Sequence, residues 1–403
     1  MNKTKIINLY KGFKKSKMKR KMECLGIVSI LFVGLGCQQK NVTENKGQPG
    51  VITYMDSAAF GEKINDHDIH LFELKNKQGV HAYFTNFGAR IVGLWVPDKQ
   101  GSLRDVVLGF TKATDYNNPA EPYFGTIVGP FGNRIAKGKF QLDGQSYQLP
   151  INNGVNTLHG GFKGVHFANW TLKTKSDSSI TFAYTLTDSA EGFPGNIAME
   201  VTYGLNEQNE LTIAYEAQSD KKTVINLTNH AYFNLNGEGS GSILNHQLKL
   251  FADEFTPVDS TLIPTGKLEK VVGSPFDFTT VKPIGKDIDA EDRQLFYGKG
   301  YDHNFVLNKQ GEGDYYKAAQ IVGDQSGIVM DILTQEPGIQ FYSGNFMSEK
   351  VQLKNGKKDS FRTAFCLEPQ HYPDSPNQPN FPSTVLIPGQ IYKTKSLYRF
   401  SVL

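Results

Sequence analysis

From about residue 51 onward, apolar and polar positions alternate with period two, in runs broken by turn-forming residues. Such runs predict half-buried strands. Residues 70–75 and 80–85 flank Asn76-Lys-Gln-Gly79, a hairpin signal. Residues 89–96 form another strand, closed by Pro97-Asp98. Residues 140–150 contain Asp143-Gly144, the dipeptide of a tight hairpin turn. Residues 197–205 and 210–216 pair across Asn206–Asn209. Further strands are predicted at 224–227, 246–251, 305–307, 328–334, 361–367 and 398–402. Helical periodicity is confined to short turns near 112–117 and 290–295. No fixed-length repeat, heptad or Pro/Ser-rich linker divides the body. This pattern predicts one all-β domain over 51–403, a large antiparallel β-sandwich.

Composition supports that reading, since 40 Gly, 27 Phe and 18 Tyr are turn and strand formers. The net charge of +3 changes meaning once it is located. Residues 1–36 hold nine of the 43 Lys and Arg and one of the 40 acids, leaving 34 basic against 39 acidic side chains. The body thus carries no basic excess, which argues against a nucleic-acid partner. The basic start, the apolar run from Cys24 to Gly36 and then Cys37 read as a signal segment. Leu35-Gly36-Cys37 resembles a bacterial lipoprotein cleavage site, with Cys37 as the lipidated first residue of the mature chain. An ordinary signal peptide and a retained anchor are the alternatives. Residues 37–50 are polar and aperiodic and are expected to form a flexible tether. The expected location is therefore exported, in the periplasm or at the outer membrane, with membrane contact only through the lipid. Processing would leave Cys37 and Cys366, so no internal disulfide is expected. Cys366 reads as a small buried hydrophobe.

Six stretches combine turn chemistry with hydrogen-bonding side chains. The apolar run 364–367 delivers Glu368, and Pro369 is expected to stop the strand, so that Glu368 opens into the polar loop through Asn377. A carboxylate presented from a rigid strand end suits a general base. Asn133 and Arg134 follow a glycine-rich bend, and His159 precedes Gly160-Gly161. His230 lies among Asn226, Asn229 and Asn234, a cluster costly to bury unless it lines a site. Asp302, His303 and Asn304 enter one strand, and Gln340 sits beside Phe341 and Tyr342 in another. Amides and carboxylates beside aromatic faces are the mixture that holds sugars. Zinc, nucleophile-elbow and dinucleotide patterns do not occur.

Taken together, Gly132–Ile135, Asn156–Gly161, Thr228–Leu235, Tyr301–Phe305, Glu336–Asn345 and Leu367–Asp374 resemble, in order, the motifs of the aldose 1-epimerase (galactose mutarotase) family. The resemblance spans most of the body and implies the galactose-mutarotase type of β-sandwich. It implies Glu368 as general base and His230 as general acid. It further implies Arg134, His159 and Asp302 as substrate-binding residues, with Asn133 and Gln340 as additional sugar contacts. The implied substrate is a free aldohexose such as galactose or glucose, and a monomer is expected. No cofactor or metal is needed for the chemistry; some relatives are described as binding structural calcium, though no loop here specifies a site.

Interconverting anomers needs a proton taken from the C1 hydroxyl and another given to the ring oxygen. The ring opens to an aldehyde, C1–C2 rotates, and closure reverses both transfers. With ordinary pKa values of roughly 4.3 and 6.5, Glu368 and His230 are both in the required form only between those limits. Activity at neutral pH then calls for a His230 raised by a carboxylate, or donating from its neutral N–H. Other readings are a non-catalytic sugar binder, a phosphosugar epimerase and a retaining glycosidase. The second would need Lys or Arg beside Arg134. The third would need a second carboxylate about 5 Å from Glu368, for which Asp302 is the candidate.

Overall fold

The computed structural model describes residues 54–309 and 311–403, without the Glu312 side chain. The signal segment, Cys37 and the tether lie outside the described residues. Three antiparallel sheets carry the fold. The largest has ten strands and is ordered Thr171–Lys175, Ser179–Leu186, Ile197–Leu205, Glu210–Ser219, Tyr392–Val402, Ile328–Thr334, Tyr315–Val322, Gln247–Leu250 and Lys282–Pro283, with Gly311–Glu312 beside Tyr315–Val322. Leu71–Lys75, His81–Thr85, Arg90–Pro97 and Leu103–Asp105 make a four-stranded sheet. Phe84, Phe182, Val201, Ile332, Phe305 and Phe341 from all three sheets meet in one core cluster.

The local signals explain the hairpins. Asp143 and Gly144 both take positive φ (50° and 80°), the twist that matches a two-residue hairpin, between Lys139–Leu142 and Gln145–Gln148. Residues 71–75 and 81–85 pair as expected, as do 197–205 and 210–219. The predicted helical turns become a 3₁₀ turn at Ala113–Tyr116 and an α-helix at Arg293–Gly298. The helix starts where Asp292 accepts hydrogen bonds from the backbone N–H groups of Gln294 and Leu295.

The third sheet positions the site. Its order is Glu269–Lys270, Glu254–Phe255, Asp302–Val306, Gly338–Tyr342 and Cys366–Gln370. Register places Asp302 opposite Tyr342 and Tyr342 opposite Cys366; the next row on the same face is Asn304, Gln340 and Glu368. The other face presents His303, Phe305, Ile339, Phe341 and Leu367, because side chains alternate across a strand. Phe305, Ile339, Phe341 and Leu367 join the core. One face of this sheet is therefore largely apolar and the other polar, although both are buried.

Two expectations about this region are corrected. The last strand begins at Cys366, not 361, and Glu368 lies within it rather than at its end. Pro369 does not stop the strand, for it pairs with Ile339 on an edge strand of the sheet, where a missing N–H is tolerated.

Candidate active site

A cavity of about 570 Å³ opens over the polar face. Asn133, Arg134, His159, His230, Asp302 and Glu368 all line it. They reach it from four places. Glu368 and Asp302 rise from the sheet itself. Asn133 and Arg134 follow a bend held by the Asn226 side chain, which donates to the Gly132 carbonyl at 3.3 Å. His159 sits at φ 51°, and Gly160 follows at φ 82°. A Cβ on Gly160 would lie 2.0 Å from the Gly129 carbonyl oxygen, so only glycine lets the His159 turn close on that bend. His230 follows the short strand Thr228–Asn229, which pairs with Ile127–Val128. Phe233 then exchanges backbone hydrogen bonds with Phe365, laying the His230 segment beside the Glu368 strand.

The closest contact between opposite chemistries is His230 Nε2 to Glu368 Oε1, 3.7 Å. Glu368 is 2% exposed, and its Oε2 has no hydrogen-bond partner among the described residues. Burial pushes its carboxyl well above the usual range; Asp302 adds to this and Arg134 opposes it. Burial drives His230 the other way, to about 3. His230 is therefore not raised by its carboxylate neighbour, contrary to the first option drawn from its neutral-pH requirement. With the carboxyl raised and the imidazole lowered, Glu368 and not His230 is the first of the two to take up a proton as pH falls.

The surrounding groups are built to bind and orient. The backbone N–H of Asn133 donates to His159 Nδ1 at 3.1 Å, so neutral His159 carries its proton on Nε2. Burial, with His230 and Arg134 nearby, holds His159 well below its usual range, hence neutral. Arg134 donates through Nε to Asn153 Oδ1 at 3.2 Å and lies 3.8 Å from Asp302 Oδ2. Gln340 donates to Asp302 Oδ1 at 2.7 Å, and Gln370 donates to Gln340 Oε1 at 3.4 Å. Gln340 thus stands behind Asp302 and is not among the residues lining the cavity. It can act on a ligand through the carboxylate that it aims.

Sequence reasoning missed several lining residues. Glu121 is 9% exposed, and burial raises it to about 7. Tyr123 and Tyr232 lie over the His230 ring, with centroids at 5.5 and 5.0 Å and planes within 26° and 29°. Buried Arg90 holds the loop carrying Tyr123, donating to the carbonyls of Phe124 and His166. Lys350, an exposed residue, is a second cation on the cavity wall. None of these positions has a local sequence signal beyond its residue type. In the other direction, Asn226, Asn229 and Asn234 do not line the cavity. Their amides satisfy backbone carbonyls of Gly132 and His371, of Gly125, and of Gly241 and Thr363.

The aldose 1-epimerase family profile matches residues 70–399. The chain belongs to the aldose 1-epimerase family. It is 42% identical to the galactose mutarotase of Sus scrofa over 334 residues, covering 83% of this chain and 94% of that protein. It is 36% identical to the aldose 1-epimerase of Escherichia coli (strain K12) over 332 residues, covering 82% and 94%. Among solved structures, an aldose epimerase homologue from C. elegans superposes with a TM-score of 0.76 at 33% identity, covering 83% of this chain and 99% of that one. The galactose 1-epimerase of Lactobacillus acidophilus NCFM gives 0.74 at 25% identity, covering 85% and 97%. The fold is thus the galactose-mutarotase sandwich of this family.

His230, Cys366 and Glu368 are also the one group of metal-type donors found clustered among the described residues. Calcium takes oxygen ligands, and a thiol and an imidazole are the wrong donors for it. In an aldose 1-epimerase these side chains are better matched to moving protons.

Proposed function

We infer that this protein is an aldose 1-epimerase that interconverts the α and β anomers of free hexoses such as galactose and glucose by acid–base ring opening and closure. The observation that carries this is the facing pair of Glu368 and His230, 3.7 Å apart at the floor of a cavity lined by sugar-type donors and aromatics.

In this reading the pair holds one proton. With Glu368 ionised and His230 protonated, Glu368 removes the C1 hydroxyl proton while His230 gives its Nε2 proton to the ring oxygen. The C–O bond between C1 and the ring oxygen breaks, and the aldehyde forms. Glu368 is then protonated and His230 neutral, the distribution that burial favours for both groups. After rotation about C1–C2, the same two protons return and the ring closes on the other face. Arg134, Asp302, His159 and Asn133 hold the hydroxyls, and Gln340 fixes the Asp302 carboxylate. Burial of the whole pair strengthens these interactions by excluding water.

Polarimetry tests this directly. Purified protein should accelerate the relaxation of freshly dissolved α-galactose and α-glucose at catalytic concentrations. Binding of either sugar with no acceleration would favour a sugar-binding role instead.

The N-terminal pattern supports a further reading, that Cys37 is acylated and the catalytic body is exported on a tether. Expression in a bacterial host with labelled palmitate should label the wild type and leave Cys37→Ser unlabelled. Equal labelling of both would end that assignment.

A further inference from the structure

Strand alternation puts Cys366 and Glu368, two residues apart, on the same face of one strand. The His230 ring lies against both. Its Nε2 is 3.7 Å from Glu368 Oε1, and its Nδ1 is 3.6 Å from Cys366 Sγ. Tyr123 and Tyr232 stack on the ring, with centroids 5.5 and 5.0 Å away. The imidazole is thus bracketed edge-on by the two side chains and face-on by two rings.

A neutral imidazole carries one N–H, and the bond made by one nitrogen decides the role of the other. The reaction asks a specific tautomer of His230. Its Nε2 must be bare when Glu368 holds the shared proton, so that it can take the proton back from the hydroxyl formed at the ring oxygen. The resident N–H then belongs on Nδ1, where the sulfur lies. Burial pushes the Cys366 thiol well up, so it stays a neutral thiol rather than a thiolate or nucleophile. A thiol sulfur can accept a weak hydrogen bond.

We propose that Cys366 is a positioning residue for the acid–base pair: its sulfur accepts the Nδ1–H of His230 and keeps Nε2 as the nitrogen that shuttles the proton. This rests on the reading of Glu368 and His230 as the catalytic pair. It gives a buried cysteine a task that packing alone would not require. The opposite arrangement, S–H donating to Nδ1, would fix the proton on Nε2 and leave no site to receive one from the sugar.

The test combines ¹⁵N-histidine NMR with polarimetry on the full-length protein. Wild type should show His230 as the Nδ1–H tautomer near neutral pH. Cys366→Ala should give a tautomer mixture, and kcat for α-galactose should fall about fivefold to tenfold with KM little changed, the loss of one modest hydrogen bond. Cys366→Ser, whose hydroxyl can also accept, should restore the Nδ1–H tautomer and most of kcat. An Nε2–H tautomer in wild type would overturn the proposal, as would a Cys366→Ala protein that keeps the wild-type tautomer, whether or not its rate falls. The wild-type spectrum needs no variant, so misfolding of Cys366→Ala leaves the test standing. A wild type that shows the Nδ1–H tautomer yet fails to accelerate mutarotation would overturn the catalytic reading instead.

Discussion

Glu368→Gln is expected to lower kcat for α-galactose mutarotation by about 10²–10⁴-fold, the usual worth of one positioned acid or base. Glutamine keeps the shape of the side chain and removes only its ability to accept and return a proton. The variant should also melt no lower than wild type. Glu368 is buried, and its Oε2 has no partner among the described residues, so the native fold bears a desolvation cost for that carboxyl that an amide largely avoids. Polarimetry and thermal unfolding of the same preparation separate the two effects. A variant that melts normally and retains more than about a tenth of wild-type kcat would remove Glu368 from the base role.

His230→Gln should cost a comparable factor, and its pH dependence should change sign. The wild-type pair needs one proton. As pH rises through the elevated Glu368 carboxyl, that proton is lost and kcat/KM declines. As pH falls towards about 3, His230 takes a second proton and kcat/KM declines again. Between these limits the profile should be flat. Without His230, only the ionised Glu368 can act. The residual rate should then rise, not fall, as pH passes through the same carboxyl. A residual rate that falls with rising pH would show that Glu368 is not the group remaining. These limbs report the pair's macroscopic behaviour, which is why they are tied to proton count and not to either residue alone.

Both predictions depend on a reversal that the sequence did not reveal. Neutral-pH activity had called for a His230 raised by a carboxylate or one donating from its neutral N–H, and the structure removes the first of these. Burial at 6% and 2% exposure instead lowers the imidazole and raises the carboxyl. The required proton inventory survives, because one group's loss matches the other's gain. Motif spacing carries no information about the depth at which two side chains 138 positions apart will meet.

Some features were legible because their causes are local. Asp143-Gly144 needed only positive φ at two adjacent residues, and Asp292 needed only to cap the turn that follows it. The alternation in Asp302–Val306, Gly338–Tyr342 and Cys366–Gln370 is written in the residues themselves, polar on one face and largely apolar on the other. What that alternation did not disclose is that the polar face is buried under loops. Nor did it disclose that Pro369 could continue a strand, since its tolerance depends on lying at a sheet edge. The Asn226, Asn229 and Asn234 cluster misled for the related reason that buried amides serve backbone carbonyls as readily as ligands.

By itself the sequence determined the all-β class, the main hairpins and the six polar stretches of the aldose 1-epimerase family, because period, turn chemistry and residue type act over a few neighbouring positions. The tertiary structure alone decided the rest. It moved Gln340 behind Asp302, brought Glu121, Tyr123 and Lys350 to the cavity, and set Cys366 against His230 Nδ1. The physical reason is that hydrogen bonding and desolvation depend on distances of a few ångströms between distant segments, which only the packing of the sheets and loops fixes.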